Sequence, residues 1–381
     1  MRIPAHWWVL LAAIAAHVGV ASAKELIAKD MGERVEMISI GSGWNKVELE
    51  TTLFVPPGPG PFPTVVINHG KAFGNPRFDP RARCPVASRE FLKRGYLVAL
   101  PMRSGYSKSS GVLIDSGCNT ESNARMQGEE ILGVLDRLLQ RPDVDPSRVL
   151  LIGQSYGGIA AIAAGARNPR SVRGVINFAG GIKRSESGCT WERSLVDAFA
   201  AYGRDSKIPS LWFYGDNDSY WGAELPRKMH EAYLAAGGKA RLVAYGTFAG
   251  GDAHGMFSSS KGLPIWLAEA ERFLSEIGLP TQEIFEIAAT PRPPRTDFAS
   301  IHDVSAPPYL DDRRRELYRK FLAMPYPRAF AIAPTGNVGW AYEGADPAGS
   351  ALSSCEKLAK VACSLYAIDD DVVWQRNKEN N

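Results

Sequence analysis

The chain has 381 residues, 45% of them hydrophobic and 22% charged, a balance that excludes a disordered or wholly membrane-embedded protein. Its 44 basic and 41 acidic residues leave a formal charge of +3. No basic run is interleaved with aromatics, so a nucleic-acid partner is not expected. The length suits one large domain and one small one.

Residues 1–23 read as a removable leader. Arg2 supplies the positive charge, Trp7 to Val20 is largely apolar, and Ala21-Ser22-Ala23 is a small-residue cleavage site. The apolar stretch contains His17 and is shorter than the ~20 residues that span a bilayer. Cleavage before Lys24 and export to the periplasm or the extracellular space are therefore predicted, with no stable membrane span afterwards. Five cysteines, Cys84, Cys118, Cys189, Cys355 and Cys363, would then meet an oxidising compartment in which disulfides persist. Their odd number leaves at least one unpaired within the chain. They contain no C-x-x-C pair and no nearby histidine group, so no metal is expected.

Arg34 to Val55, ahead of Pro56-Pro57-Gly58, reads as a leading antiparallel pair of strands. Val/Ile/Leu-rich runs follow at Thr64 to Asn68, Tyr96 to Leu100, Arg148 to Ile152, Gly174 to Phe178, Ser210 to Tyr214 and Arg241 to Tyr245. Most lack polar alternation, as strands buried on both faces do. Helical periodicity appears at Ser88 to Lys93, Glu121 to Leu139, Gly157 to Ala166, Leu225 to Ala236 and Leu263 to Ile277. Alternating strands and helices predict a doubly wound, mostly parallel α/β domain over residues 24–289. Pro291, Pro293, Pro294, Pro307 and Pro308 mark a linker over 290–310. Residues 311–381 predict a small α+β unit: a helix over Asp311 to Met324, a strand over Arg328 to Ile332, a helix over Pro347 to Ala359 and a strand over Cys363 to Ile368. A unit of that size has a thin core, and a Cys355–Cys363 bridge would compensate.

The strongest chemical signal is Gly153-Gln154-Ser155-Tyr156-Gly157, which follows an apolar strand and opens a small-residue helix, the context that a G-x-S-x-G elbow requires. The turn sets Ser155 at a positive helix N-terminus and aims the Tyr156 N–H at a developing oxyanion. A serine needs a base. Of the six histidines, His6 and His17 leave with the leader, His302 lies in the linker, His69 precedes the serine, and His230 falls on an amphipathic helix as a solvated residue. His254, in the loop after the last large-domain strand, remains. The acid comes from Gly215-Asp216-Asn217-Asp218 at a strand's C-terminal edge, where ligand chemistry gathers in open α/β sheets. Asp218 is favoured over Asp216 because a Gly-x-x-Asp turn carries the carboxylate back toward the histidine. The second oxyanion donor is expected at Lys71, in Asn68-His69-Gly70-Lys71-Ala72. Trp191, Tyr220 and Trp221 flank these loops as candidate pocket residues.

With these residues, Arg34 to Gly278 resembles the α/β-hydrolase superfamily, in particular its exported dienelactone hydrolase-like branch. The resemblance rests on Asn68-His69-Gly70, Met102-Arg103-Ser104-Gly105-Tyr106, the Gly153 to Gly157 elbow, the Gly215 to Asp218 turn and Ala253-His254-Gly255. Dienelactone hydrolases proper carry a cysteine at the elbow, whereas this chain has Ser155, which favours a carboxylic ester. The expected activity is cofactor-free hydrolysis of a small-molecule or oligomeric ester through an acyl-enzyme. Two alternatives stand beside it: a serine peptidase of the prolyl-oligopeptidase catalytic type, and a noncatalytic binding protein on the same fold.

Overall fold

The computed structural model describes residues 24–28, 31–71, 74–184, 188–288, 292–324, 328–342 and 346–375. The predicted leader, Ala72 and residues 290–291 of the expected linker lie outside the described residues.

A short strand β1 (Glu25–Ile27) precedes the hairpin β2 (Glu33–Ile40) and β3 (Val47–Phe54). Then come β4 (Phe62–Asn68), α1 (Pro85–Lys93), β5 (Leu97–Pro101), α2 (Thr120–Leu138), β6 (Val144–Gln154), α3 (Tyr156–Gly165) and β7 (Val172–Phe178). The large unit continues with α4 (Trp191–Asp205), β8 (Ser210–Tyr214), α5 (Glu224–Ala235), β9 (Ala240–Ala244), α6 (Leu263–Glu276) and β10 (Phe285–Ile287). Eight strands form one sheet in the order β2-β3-β5-β4-β6-β7-β8-β9, with β3 antiparallel to both neighbours and every pair from β5 to β9 parallel.

Both faces of this sheet are covered, which explains the strands' continuous apolar runs. Val66, Leu151, Val175 and Trp212 point to the face carrying α2, α3, α4 and α5, with Ile131, Ile159, Phe199 and Met229. Their neighbours Val65, Leu150, Ile176 and Phe213 point to the opposite face, with Phe91 of α1 and Trp266 of α6. Alternation by single residues is the period-two geometry of a strand. The result is the α/β-hydrolase architecture expected from the sequence.

The tail adds α7 (Asp312–Leu322), β11 (Arg328–Ile332), β12 (Val338–Tyr342), α8 (Pro347–Ala359), β13 (Ser364–Ile368) and β14 (Asp371–Val372). Its four strands form an antiparallel sheet in the order β12-β11-β13-β14. Phe330 and Ile332 of β11 meet Tyr318 and Phe321 of α7 on one face. Ala329 and Ala331 meet Ala351 and Cys355 of α8 on the other.

Four features were not anticipated. No helix is predicted between β7 and β8, yet α4 fills that gap. Its buried Leu195, Ala198, Phe199 and Tyr202 carry the helical spacing that marks it. Strand β12, missing from the predicted tail, pairs along β11. Strands β1 and β10, separated by the whole large domain, pair in parallel, and Ile27, Phe285 and Ile287 enter the core beside α1 and α6. The proline-rich stretch also carries contacts of its own. Phe298, Ile301 and Val304 pack on the small core, Thr296 N–H donates to the Val372 carbonyl at 2.8 Å, and Tyr318 Oη donates to the Ile301 carbonyl at 2.7 Å.

Candidate active site

Strand β6 ends at Gln154 and α3 starts at Tyr156, so Ser155 occupies the turn between them. Its backbone has φ 57° and ψ −123°, a sparsely populated conformation costing about 1–3 kcal/mol. Neighbouring packing holds it there: the Ser155 N–H donates to the Phe178 carbonyl at 2.9 Å, and the Ser155 carbonyl accepts from Gly158 at 2.9 Å and Gly181 at 3.1 Å. The flanking glycines are steric necessities. A Cβ on Gly153 would lie 1.9 Å from the Gly157 carbonyl oxygen, and one on Gly157 would lie 2.1 Å from that of Asn68.

The Asn68–Lys71 segment at the end of β4 lies directly against this turn. A Cβ on Gly70 would sit 3.2 Å from that of Ser155, a tight contact that a larger residue could make only by pushing the two segments apart by a few tenths of an ångström. Asn68 Nδ2 anchors the segment to the Ile152 carbonyl at 2.8 Å. His69 Nδ1 bonds the Gly70 carbonyl at 2.6 Å, while its Nε2 accepts the Arg103 backbone N–H at 3.1 Å. The Arg103 guanidinium spans the same turn, donating to the carbonyls of His69 and Gly70. Burial, assisted by the Arg103 charge, holds the His69 imidazole well below its usual range. The Lys71 ammonium lies 5.6 Å from the ring centroid of Tyr156.

At the end of β8, Asp218 turns back into the fold, and its side chain is fully buried. Its Oδ1 accepts the backbone N–H groups of Tyr220 at 2.9 Å and Trp221 at 3.2 Å. His254 Nδ1 lies 3.0 Å from Oδ2 and 3.2 Å from Oδ1. Asp216, the competing carboxylate, is exposed, and its backbone N–H bonds the Gly246 carbonyl at 2.8 Å.

Two side chains that the sequence reading passed over hold the histidine loop. Gln154 Nε2 donates to the His254 carbonyl at 2.8 Å and so ties the loop to the residue before Ser155. Asp252 accepts the His254 backbone N–H at 2.9 Å and the Ser219 hydroxyl at 2.5 Å. Burial opposes ionisation of Asp252, but these hydrogen bonds outweigh it and hold the carboxyl below its ordinary range. Gln154 fills the variable position of the elbow and Asp252 lies two residues before His254, and adjacency to the motifs was the available signal.

Of the candidate pocket residues, Tyr220 lies against His254, with ring centroids 4.3 Å apart and the planes tilted by 36°. Trp191 opens α4, with its ring 6.1 Å from that of Trp221. Trp221 is buried in the core, its Nε1 donating to the Ala179 carbonyl at 2.7 Å. Lys71 and Tyr156 also border a cleft whose walls include Arg103, Asp115 and Arg184. His230, expected at a solvated surface, is instead half-buried: its ring packs 5.5 Å from that of Trp212, and Nε2 lies 3.1 Å from the Ala240 carbonyl.

Among the described residues, no three His, Cys, Asp or Glu side chains form a metal-ligand group. No helix among them is long and apolar enough to cross a membrane. Two disulfides are present: Cys118–Cys189, with Cα atoms 5.5 Å apart, and Cys355–Cys363, at 6.2 Å. Cys84 is free, and burial pushes its thiol up to about 12.

The sheet order, the strained serine after β6 and the acid and histidine after β8 and β9 define an α/β-hydrolase. The profile of the X-Pro dipeptidyl-peptidase (S15) family matches residues 43–236, and the chain belongs to that family. A 2-hydroxy-6-oxononadienedioate/2-hydroxy-6-oxononatrienedioate hydrolase from Paraburkholderia xenovorans is 36% identical over 121 residues, 31% of this chain. The match spans only 36% of that relative's length. Among solved structures, Porphyromonas gingivalis dipeptidyl peptidase 4 is similar to 64% of this chain over 35% of its own, with 15% identity and a TM-score of 0.48. Thermogutta terrifontis esterase 2, phosphorylated by paraoxon, is similar to 66% of this chain over 96% of its own, with 18% identity and a TM-score of 0.46.

Proposed function

We propose that this hydrolase is an exported serine esterase of the dienelactone hydrolase-like branch, cleaving small carboxylic esters through an acyl-enzyme. The observation that carries the reading is the bond from His254 Nδ1 to the buried Asp218, in a loop that Gln154 ties to the Ser155 turn. Asp218 orients the imidazole and stabilises the imidazolium as it forms. Ser155 Oγ attacks the ester carbonyl and its proton passes to His254 Nε2. The N–H groups of Tyr156 and Lys71 hold the resulting oxyanion. Collapse expels the alcohol, which takes the proton from His254. Water, deprotonated by the same imidazole, then releases the acid and regenerates Ser155. Export is supported by the two disulfides, bonds that persist in oxidising compartments.

A second reading, peptidase activity, is favoured by the family's description. An Xaa-Pro dipeptidyl substrate presents a protonated amino terminus, which needs a carboxylate beside the elbow. Among the described residues, the carboxylate on the cleft wall is that of Asp115, which Arg184 engages, so the ester reading is preferred. A fluorophosphonate probe should label the protein and not its Ser155→Ala variant, and 4-nitrophenyl acetate should be hydrolysed faster than an Xaa-Pro 4-nitroanilide. Absence of labelling would exclude a serine enzyme, and preference for the anilide would establish the peptidase.

A further inference from the structure

We propose that two copies of this chain pair antiparallel through β2, with Val35 facing the partner subunit's Val35, so that one sheet runs through a twofold dimer. Strand β2 ends the eight-stranded sheet and is paired on one side only, with β3. Across that hairpin Met37 faces Glu50 and Ser39 faces Glu48. Both glutamates use their backbone on the far side. The Glu48 N–H donates to Ser110 Oγ at 2.7 Å and its carbonyl accepts from the Ser110 N–H at 2.8 Å. The Glu50 N–H donates to Ser109 Oγ at 2.9 Å and its carbonyl accepts from the Met102 N–H at 2.8 Å. The backbone groups of Met37 and Ser39 therefore point outward, and the two-residue period of a strand extends this to Val35 and Glu33. Both ends of this open edge are closed. Arg137 of α2 donates to the Ser39 carbonyl at 2.9 Å, and Met31 and Gly32, each with φ 61°, turn the chain away before Glu33. The free edge is thus Glu33 to Met37, centred on Val35. Val35 and Met37 are 50% and 48% exposed, and an open, partly apolar edge is a template for another strand.

Charge selects a second copy as the occupant and fixes the register. Opposed residues of an antiparallel pair either bond each other or both turn away, so outward-facing residues must oppose outward-facing ones and the twofold axis falls on a residue. An axis on Glu33, Arg34 or Glu36 sets like charges face to face. An axis on Met37 needs the Ser39 backbone, where Arg137 already sits. An axis on Val35 uses the free edge alone and sets Arg34 opposite Glu36 of the partner subunit twice over. Those pairs fall at non-bonded positions, where side chains approach most closely. Arg34 is exposed and forms no ion pair among the described residues, although its charge acts on Asp143. Glu36 is held by Arg141 at 2.9 Å through one face of its carboxylate. The other charges beside the edge are matched within the chain: Glu33 with Arg81 and Arg83, Arg141 with Asp143, and Lys46 with Glu48. Helix α2 does not obstruct this register. It lies over the far end of β2, where a Cβ on Gly133 would be 3.1 Å from that of Ile40, so the two copies of α2 stand at opposite ends of the paired strands.

Sedimentation equilibrium of the full chain tests this. A dimer should be present at about 100 µM and dissociate on dilution. Val35→Pro removes an N–H that the hairpin does not use, so the monomer should fold, while the dissociation constant should rise by about tenfold or more. Arg34→Glu and Glu36→Arg should each weaken self-association, because each sets like charges across the axis. Mixed in equal amounts, these two variants should associate again, since Glu at 34 then faces Arg at 36 in both directions. Thermal melting shows whether each variant is folded, and Val35→Pro decides the matter should a charge variant be unstable. A protein that stays monomeric at about 100 µM would overturn the proposal. So would a dimer that Val35→Pro leaves as tight as the parent, which would place the contact on another surface. Folded charge variants that fail to associate when mixed would refute the register and the proposal with it.

Discussion

The backbone N–H of Arg103 donates to Nε2 of His69 at 3.1 Å, so that nitrogen carries no proton and the imidazole is the neutral Nδ1–H tautomer. Its Nδ1–H then donates to the Gly70 carbonyl, which the Arg103 guanidinium also engages. A histidine and an arginine from the loops after two different strands thus set the backbone that presents Lys71 to the Ser155 turn. Arg103 is a positioning residue in this reading. Arg103→Lys cannot bridge two carbonyls with one planar fork, and its kcat should fall by about 10- to 100-fold, up to what one lost oxyanion donor costs. KM should change little. Steady-state kinetics on 4-nitrophenyl acetate check the split, and a rise in KM at constant kcat would contradict it.

The same histidine gives a signed pH effect. Its folded value is depressed by burial, so the unfolded chain binds the proton first as pH falls. The stability associated with neutral His69 is fully present above the ordinary imidazole value of about 6.5. It is lost as pH drops below that toward the lowered folded value. Urea midpoints at about pH 7.5 and pH 5 should therefore differ less for His69→Gln than for the parent, although the variant is less stable at the higher pH. An unchanged pH dependence would refute the assignment.

For the proposed triad, Ser155→Ala and His254→Ala should each lower kcat by a large share of the whole effect, on the order of a million-fold. Asp218→Asn should cost about ten-thousand-fold, through the wrong imidazole tautomer. Retention of ester hydrolysis within tenfold in Ser155→Ala would refute the mechanism.

The pairing of β1 with β10 dictates where the chain can be shortened. A chain ending at Gly278 would lose Phe285 and Ile287 from the core, together with the Pro280 carbonyl that accepts from Tyr96 Oη at 2.7 Å. One ending after Ala288 keeps them and should fold and hydrolyse esters, whereas the shorter chain should melt well below it. Thermal unfolding of both is the measurement. Equal melting temperatures would show that β10 contributes nothing.

Peptide mapping of the nonreduced protein should link Cys118 with Cys189 and Cys355 with Cys363, and Cys84, whose thiol is held protonated, should alkylate more slowly in the folded protein than in denaturant. Cys118–Cys189 closes 71 positions and Cys355–Cys363 closes 8. In the chain-entropy account the longer loop contributes about 4 kcal/mol and the shorter about 2.5 kcal/mol. The Cys118→Ser/Cys189→Ser variant should accordingly lose more stability in urea than its Cys355→Ser/Cys363→Ser counterpart. The reverse order would place the effect in native-state packing.

The sequence by itself determined the parts whose cause is local. Apolar runs too short for helices but buried on both faces gave away β4 to β8. The elbow was legible because a strand, a strained serine and a helix need small residues at fixed offsets, and Gly153 and Gly157 supply them. Ser155, Asp218 and His254 could be selected because each lies just after a strand of one sheet. Tertiary structure alone decided what depends on residues far apart in the chain. The partner of Cys118 lies 71 positions away, and no spacing rule reaches that far. Strand β1 finds β10 across the whole large domain, and three residues carry too little pattern to announce either strand. The charge around the site was equally hidden. Lys71, Arg103 and Arg184 come from three separate loops, and only folding brings them to one cleft beside Tyr156.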